Sequence, residues 1–443
     1  MNVSARLTIP VVLCLIAAAA CGTDESSPTP GTATPATSGS TVTDPQPTRT
    51  LAMPARQQTT ASSSTAGQAV EAFGHDVLTS AMAIADPADN VVVSPLSIAI
   101  ALAMLEPGAT GTARTQLRAL LRIDDPAAWH TSMNALEQAL ESRVAELSSP
   151  DDQQDPGEFV ARVANAAFVQ PGYPFLPDYL DVVGTNYGAV IEELDFFTDQ
   201  TAAAQRINEF VAEGTDDHIT DLVSESDIRP ETVLALVNAL LLRASWQTDF
   251  EQSATADDDF VRLDGSAVTL PLMHGSSDRS ARGDGWVAAS KRLMGEIRLD
   301  VVLPDEGRFE AVSGDLADVF DVFDLNSTSG SVLVVPRFEA RVDIPLTDLL
   351  LDLGLTAPFE EGNLLDIAGD PKLVLDEALH QSWLSIDESG IEAAAATVLV
   401  MIATSAPALQ PVPVVLDRPF LFRIVDESSS ATLFSGRIMD PTA

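Results

Sequence analysis

The chain has 443 residues, 46% of them hydrophobic, and sets 65 acidic against 24 basic side chains for a formal charge of −41. That much apolar material is enough for one large core. So acidic a surface repels nucleic acid and anionic membranes, which excludes both as direct partners. Lysine is confined to Lys291 and Lys372.

The first twenty residues read as a signal peptide: Arg6 is followed by "IPVVLCLIAAAA", an apolar run too short to cross a bilayer as a helix. It ends in Ala18-Ala19-Ala20-Cys21-Gly22, and small residues before a cysteine resemble a bacterial lipobox, with Cys21 as the lipidated residue. Ala18 stands where that motif usually has a branched residue, so ordinary cleavage nearby is the alternative. Residues 21–66 are expected to be this cysteine plus a disordered tether, because Thr, Ser, Pro, Gly and Ala without apolar periodicity cannot offset the entropy of folding. Cys14 falls in the removed segment, so no internal disulfide is expected.

From residue 67 to 443 the composition is that of one globular domain without an evident cut or repeat. "GQAVEAFGHDVLTSAMAIA" has helical spacing through Val70, Phe73, Val77 and Met82. "SPLSIAIALAML" predicts a buried helix with Ser94 as N-cap and Pro95 at the first helical position. "QRINEFVAEG" predicts an amphipathic helix closed by Gly214. "TVLALVNALLL", 232–242, predicts a central strand covered on both faces. "EIRLDVVLP", "SVLVVPRFEARVDI", "QSWLSID", "VPVVL" and "PFLFRIVD" read as further strands, and "DESSSATLFSGRI" as a hairpin into a last one. Helices gathered in the first half and strands in the second predict an α+β fold.

Catalytic and cofactor signals are weak. His75, His130, His218, His274 and His380 have no partner at zinc-ligand spacing, so no metal is expected. Neither a Gly-x-Ser-x-Gly elbow nor a phosphate-cradling glycine pattern occurs, so no cofactor and no enzyme is expected. A Ser-His-Asp triad is assembled in space rather than in sequence, so a hydrolase stays as a weak alternative.

The segment "ESGIEAAAATVLVMIATSAP", 388–407, obeys no single propensity: Ala393–Ala396 favour helix, whereas Thr397, Val398, Val400 and Ile402 favour strand. With "NVVVSPLSIAIALAMLEPGATGTARTQL", "VANAAFV", "INEFVAEGTDDHITDLV", "LVNALLLRASW", "DEALHQSWLSIDESGIEAAAATV" and "RPFLFRIVDESSSATLFSGRIMDP" in that order, the chain resembles the serpin family over essentially all of 69–443. The resemblance implies one domain with a large central sheet, two smaller sheets, eight or nine helices and an exposed reactive loop. It implies an inhibitor that a serine protease attacks as a substrate, the cleaved loop then entering the large sheet as an extra strand. The hinge would be Glu388, Gly390, Ile391, Glu392, Ala393, Ala394, Ala395, Ala396 and Thr397, and the small side chains of its alanine run enter a sheet without overpacking. Ile391 replaces the small hydroxyl residue usual in inhibitory relatives, which is expected to slow the first step. That departure motivates the alternative of a non-inhibitory binding protein on the same scaffold.

The resemblance further implies a polar cluster beneath the opening sheet from Ser94, Ser97, Asn238 and His380, with Asn208 on a covering helix above. It implies an Arg337–Glu388 pair near Trp246 at the top. Counting from Glu388 puts the attacked bond at Thr404–Ser405; counting back from "RPF" points to Ala408–Leu409. No Lys or Arg lies between Ser389 and Asp417, so an elastase-like or subtilisin-like protease is expected over a trypsin-like one. A monomer is expected, exported to the cell envelope or beyond it, touching membrane only through a lipid anchor.

Overall fold

The computed structural model describes residues 9–18, 49–50, 54–147, 159–391 and 412–443. Strand β1 spans Ile9–Ala18 and β2 Arg49–Thr50; then come α1 (Ser64–Ile84), β3 (Val91–Val93), α2 (Pro95–Leu105), α3 (Gly111–Leu120) and α4 (Pro126–Leu147). Next are β4 (Phe159–Val169), α5 (Pro177–Tyr187), β5 (Val190–Glu193), α6 (Gln200–Gly214) and β6 (Leu234–Ser245). A run of strands follows: β7 (Ala256–Val261), β8 (Ala267–Ser276), β9 (Arg279–Gly283), β10 (Trp286–Leu293) and β11 (Ile297–Pro304). Helices α7 (Phe309–Ser313) and α8 (Leu316–Asn326) lead to β12 (Thr328–Ser329), β13 (Val332–Pro336) and β14 (Phe338–Ile344). The chain continues through α9 (Leu346–Asp352), α10 (Leu365–Ala368), β15 (Leu373–Ile386) and β16 (Gly390–Ile391), and closes with β17 (Val414–Val415), β18 (Phe420–Asp426) and β19 (Thr432–Ile438).

Three sheets result. The largest runs β14-β15-β6-β4-β5-β2 with β16 and β1 lying one above the other between β15 and β6; a second runs β12-β9-β10-β11-β18-β19-β3, and a third β17-β13-β8-β7. Ten α-helices occur among the described residues, and α7 and α10 are single turns of five and four residues.

Helix α2 is where the layers meet. Every residue from Pro95 to Leu105 is buried, as its unbroken apolar sequence requires. It packs against β6 of the large sheet and β19 of the second. Ser94 caps it by accepting from Ser97 N at 3.3 Å. The run "SVLVVPRFEARVDI" divides at Arg337: β13 belongs to the third sheet and β14 to the large one, because Pro336 ends the first ladder. β6 carries buried residues on both faces over nine consecutive positions, as its continuous apolar run predicts. Gly214 is the last residue of α6; a Cβ there would meet Ala164 and Ala239 at 3.2 and 3.3 Å, so its absence lets the helix end settle on β4 and β6.

Candidate functional site

β6 and β15 do not pair with each other. Between their upper ends lies β16, antiparallel to both: Gly390 is opposite Ser245, and Ile391 is opposite Ala244 on one side and Ile386 on the other. A Cβ on Gly390 would come within 2.2 Å of Ala244 O, so only glycine fits this close approach. Ile391 is fully buried in this pairing. Lower down, β1 fills the gap, parallel to both neighbours, with Leu15 opposite Asn238 and opposite His380.

The corner above β16 is held by a dense set of bonds. Arg337 donates to both carboxylate oxygens of Glu388 at 3.1 and 2.5 Å, and Thr255 Oγ1 donates to Glu388 Oε1 at 2.7 Å. Burial pushes the Glu388 pKa up, but these hydrogen bonds outweigh it and hold the group below its ordinary value. Trp246 donates through Nε1 to Asp387 O and through its backbone to Ser389 O, both at 2.9 Å. Asp387 accepts from the backbone of Ser389 and Gly390, which shapes the turn into the hinge. Lys291, singled out in the sequence only by its rarity, lies 4.6 Å from the Phe250 ring centre and 5.6 Å from that of Trp246. Burial lowers its pKa to about 8, and its ammonium donates to Ser276 O at 3.1 Å.

Beneath the gap the first turn of α2 reaches both strands that flank it. Ser94 N donates to His380 Nε2 at 3.2 Å, so that nitrogen carries no proton, and Ser382 Oγ lies 2.9 Å from it. Ser97 Oγ donates to Asn238 Oδ1. One serine therefore addresses β15 and the other β6. All four residues are buried, where such groups must satisfy one another. Asn208 is not bonded to this group; it brackets Val223, accepting from its N at 2.9 Å and donating to its O at 2.7 Å.

A second device was not legible in the sequence. The loop after α6 straddles the gap. Asp216 accepts from Arg162 of β4 at 2.6 Å and pairs with Arg243 of β6 at 2.9 Å. His218 stacks on Trp383 of β15, with ring centres 4.6 Å apart and planes 3° from parallel, and Asp221 accepts from Arg341 of β14 at 2.6 Å.

The expected hinge from Glu392 to Thr397, the bonds Thr404–Ser405 and Ala408–Leu409, and Cys21 lie outside the described residues. The profile of the Serpin (serine protease inhibitor) family matches residues 68–441. The chain is a serpin. It is 32% identical over 361 residues to an uncharacterised serpin-like protein of Thermococcus kodakarensis, covering 80% of this chain and 81% of that one. It is 31% identical over 364 residues to the alpha-1-antiproteinase of Rattus norvegicus, covering 80% and 84%. Human thyroxine-binding globulin in complex with its ligand superimposes with a TM-score of 0.72 at 25% identity, covering 86% of this chain and all of that one. Serpins are mostly inhibitors of serine proteases and not catalysts. The α+β fold with a large sheet and two smaller ones is the serpin fold.

Proposed function

We propose that this serpin is a suicide-substrate inhibitor of an elastase-like or subtilisin-like serine protease. The observation that carries this reading is the division of the large sheet: β6 and β15 are separated by a strand's width, and of the hinge residues Gly390 already pairs with β6 and Ile391 with both. The protease serine attacks the carbonyl of Thr404, an ester forms, and Ser405 leaves with a new amino group. The freed hinge then descends between β6 and β15. About fourteen inserted residues at roughly 3.3 Å each carry the protease on the order of 45 Å. Its distorted catalytic groups cannot complete hydrolysis of the ester. On this reading Cys21 anchors the exported chain to the cell envelope, and the protein acts as a monomer.

Mixing the chain that begins at Cys21 with such proteases should give a complex that survives denaturing electrophoresis and a peptide whose mass begins at Ser405. A peptide beginning at Leu409 would move the bond and keep the mechanism. Ala395→Pro removes a backbone N–H that the inserted strand needs, and should turn the inhibitor into a substrate that is cut at an unchanged rate without a covalent complex. Clean cleavage of the unaltered chain that begins at Cys21, across a protease panel, would overturn the reading. It would favour a binding protein, the role that the thyroxine complex gives the human relative.

A further inference from the structure

The polar groups under the large sheet continue past Asn238. Asn165 of β4 stands directly opposite it in the antiparallel register, and Asn238 Nδ2 donates to Asn165 Oδ1 at 2.7 Å. Asn165 Nδ2 donates in turn to Glu137 Oε2 of α4 and to the carbonyl of Tyr187, both at 3.0 Å. Donation therefore runs one way, from the Ser97 hydroxyl through two amides to one carboxyl group. All four residues are buried, and dipoles aligned in this manner strengthen when the terminal acceptor is charged.

What grips that carboxyl group from outside comes from the N-terminal stretch whose composition reads as tether. Gln57 N donates to Thr185 O at 2.9 Å, and Gln57 O accepts from Asn134 and Gln138, both at 2.8 Å, so this stretch lies along α4 and the end of α5. It delivers Arg56, whose Nη2 is 3.2 Å from Glu137 Oε2; its Nε donates to Asn134 Oδ1 at 2.8 Å and its Nη1 to Glu141 at 2.7 Å. The other titratable groups facing Glu137 are Glu141 on its own helix and Tyr187 from α5. Behind Tyr187, His130 pairs with Glu106, and Arg118 donates to Glu106 at 2.6 Å.

We propose that Glu137 is a positioning residue for loop insertion: held by Arg56, it acts through Asn165 and Asn238 on Ser97, and so sets how readily β6 draws away from β15. The inference rests on the insertion reading above. Burial is the largest influence on Glu137 and raises its pKa to about 8; Arg56 partly opposes this, Glu141 adds to it, and Asn165 lowers it slightly. Below that pH the group is neutral, its oxygen is a weaker acceptor, and the file is slack. Above it the charged oxygen draws Asn165 and then Asn238 tight, and β6 is held to α2. Loop insertion therefore slows as pH rises through about 8. Removing Arg56 keeps Glu137 neutral to a higher pH and moves the slowing upward.

The test uses the chain from Cys21 onward, which lacks the β1 segment that fills the gap, with Glu137→Gln and Arg56→Ala each made in it. A metalloprotease, which forms no acyl-enzyme, nicks the loop at concentrations where the observed rate no longer depends on protease. Insertion is followed by tryptophan fluorescence and by gain of heat resistance between pH 6.5 and 9.5. The expected result is a roughly five- to tenfold fall in rate for the unaltered chain, about the difference between a hydrogen bond to a charged acceptor and one to a neutral acceptor. Glu137→Gln should be flat within about twofold, and Arg56→Ala should show the fall displaced to higher pH. Arg56→Ala changes a residue of the outer arm and keeps the test decisive if the buried substitution fails to fold. Identical profiles in all three chains, with insertion occurring, would overturn the role of Glu137 and leave the inhibitory reading standing. No insertion in any chain would overturn both.

Discussion

Glu388 is a carboxylate with 4% of its side chain exposed, and what makes that tolerable is a half-exposed partner, Arg337, together with the Thr255 hydroxyl. Truncating the arginine leaves the charge desolvated and short of donors. Arg337→Ala should therefore lower stability by about 1–3 kcal/mol, less than for a wholly buried pair because water reaches the arginine side. The pH dependence has a definite sign. The folded pKa of Glu388 lies below its ordinary 4.5, so the stabilisation is fully present above 4.5 and is lost as pH falls through the depressed value. Thermal unfolding of the two chains from pH 7 down to 3 should show their melting temperatures converging on the acid side. A gap that persisted at pH 3 would mean that Arg337 acts by packing and not by charge.

At the scale of elements, the loop after α6 is a clasp that ties four strands across the gap, and insertion of a new strand between β6 and β15 must loosen it. Asp216 joins β4 to β6 on one side, and His218 reaches β15 on the other. Losing one such interaction, worth about 1 kcal/mol, changes a rate about fivefold if it is broken at the barrier. Asp216→Ala and His218→Ala should each speed insertion by that order and reduce the moles of inhibitor consumed per mole of protease. A titration of residual protease activity reads this directly, and an unchanged stoichiometry in both variants would show that the clasp opens after the committed step.

The clasp also marks how far the sequence could be read. Helix α2 was legible because its cap, its proline and its apolar run are local signals. The two-faced burial of β6 was legible for the same reason. Ser94, Ser97, Asn238 and His380 came from the family resemblance, and the structure brings them together around the gap. Asp216 and His218 lay inside "INEFVAEGTDDHITDLV", one of the stretches that carry the resemblance, but nothing in the sequence assigned them partners, since a charged residue and a lone imidazole in a polar loop have no period. Their partners lie on strands more than twenty residues away or more than a hundred. Arg56 was hidden differently: a Ser/Thr/Pro-rich stretch reports average solvation, not that one guanidinium within it meets a buried carboxyl group.

For the whole molecule the gap between β6 and β15 is a single berth with two candidates. β1 occupies it in parallel with both neighbours, whereas a loop descending from β16 enters antiparallel to both, so the two cannot share it. A strand bonded on both edges, at about 1 kcal/mol net for each ladder bond, is held by on the order of 10 kcal/mol. A loop that must first expel such a strand exchanges bonds like for like and loses most of the gain that drives its own entry. Residues 1–20 carry β1, so their removal decides which occupant prevails. A chain retaining them should be cut by the target protease and form little covalent complex. The chain beginning at Cys21 should trap the protease close to one for one. Denaturing gels of the two chains against a common protease make the comparison, and equal trapping would mean that β1 leaves the sheet more easily than its paired edges imply.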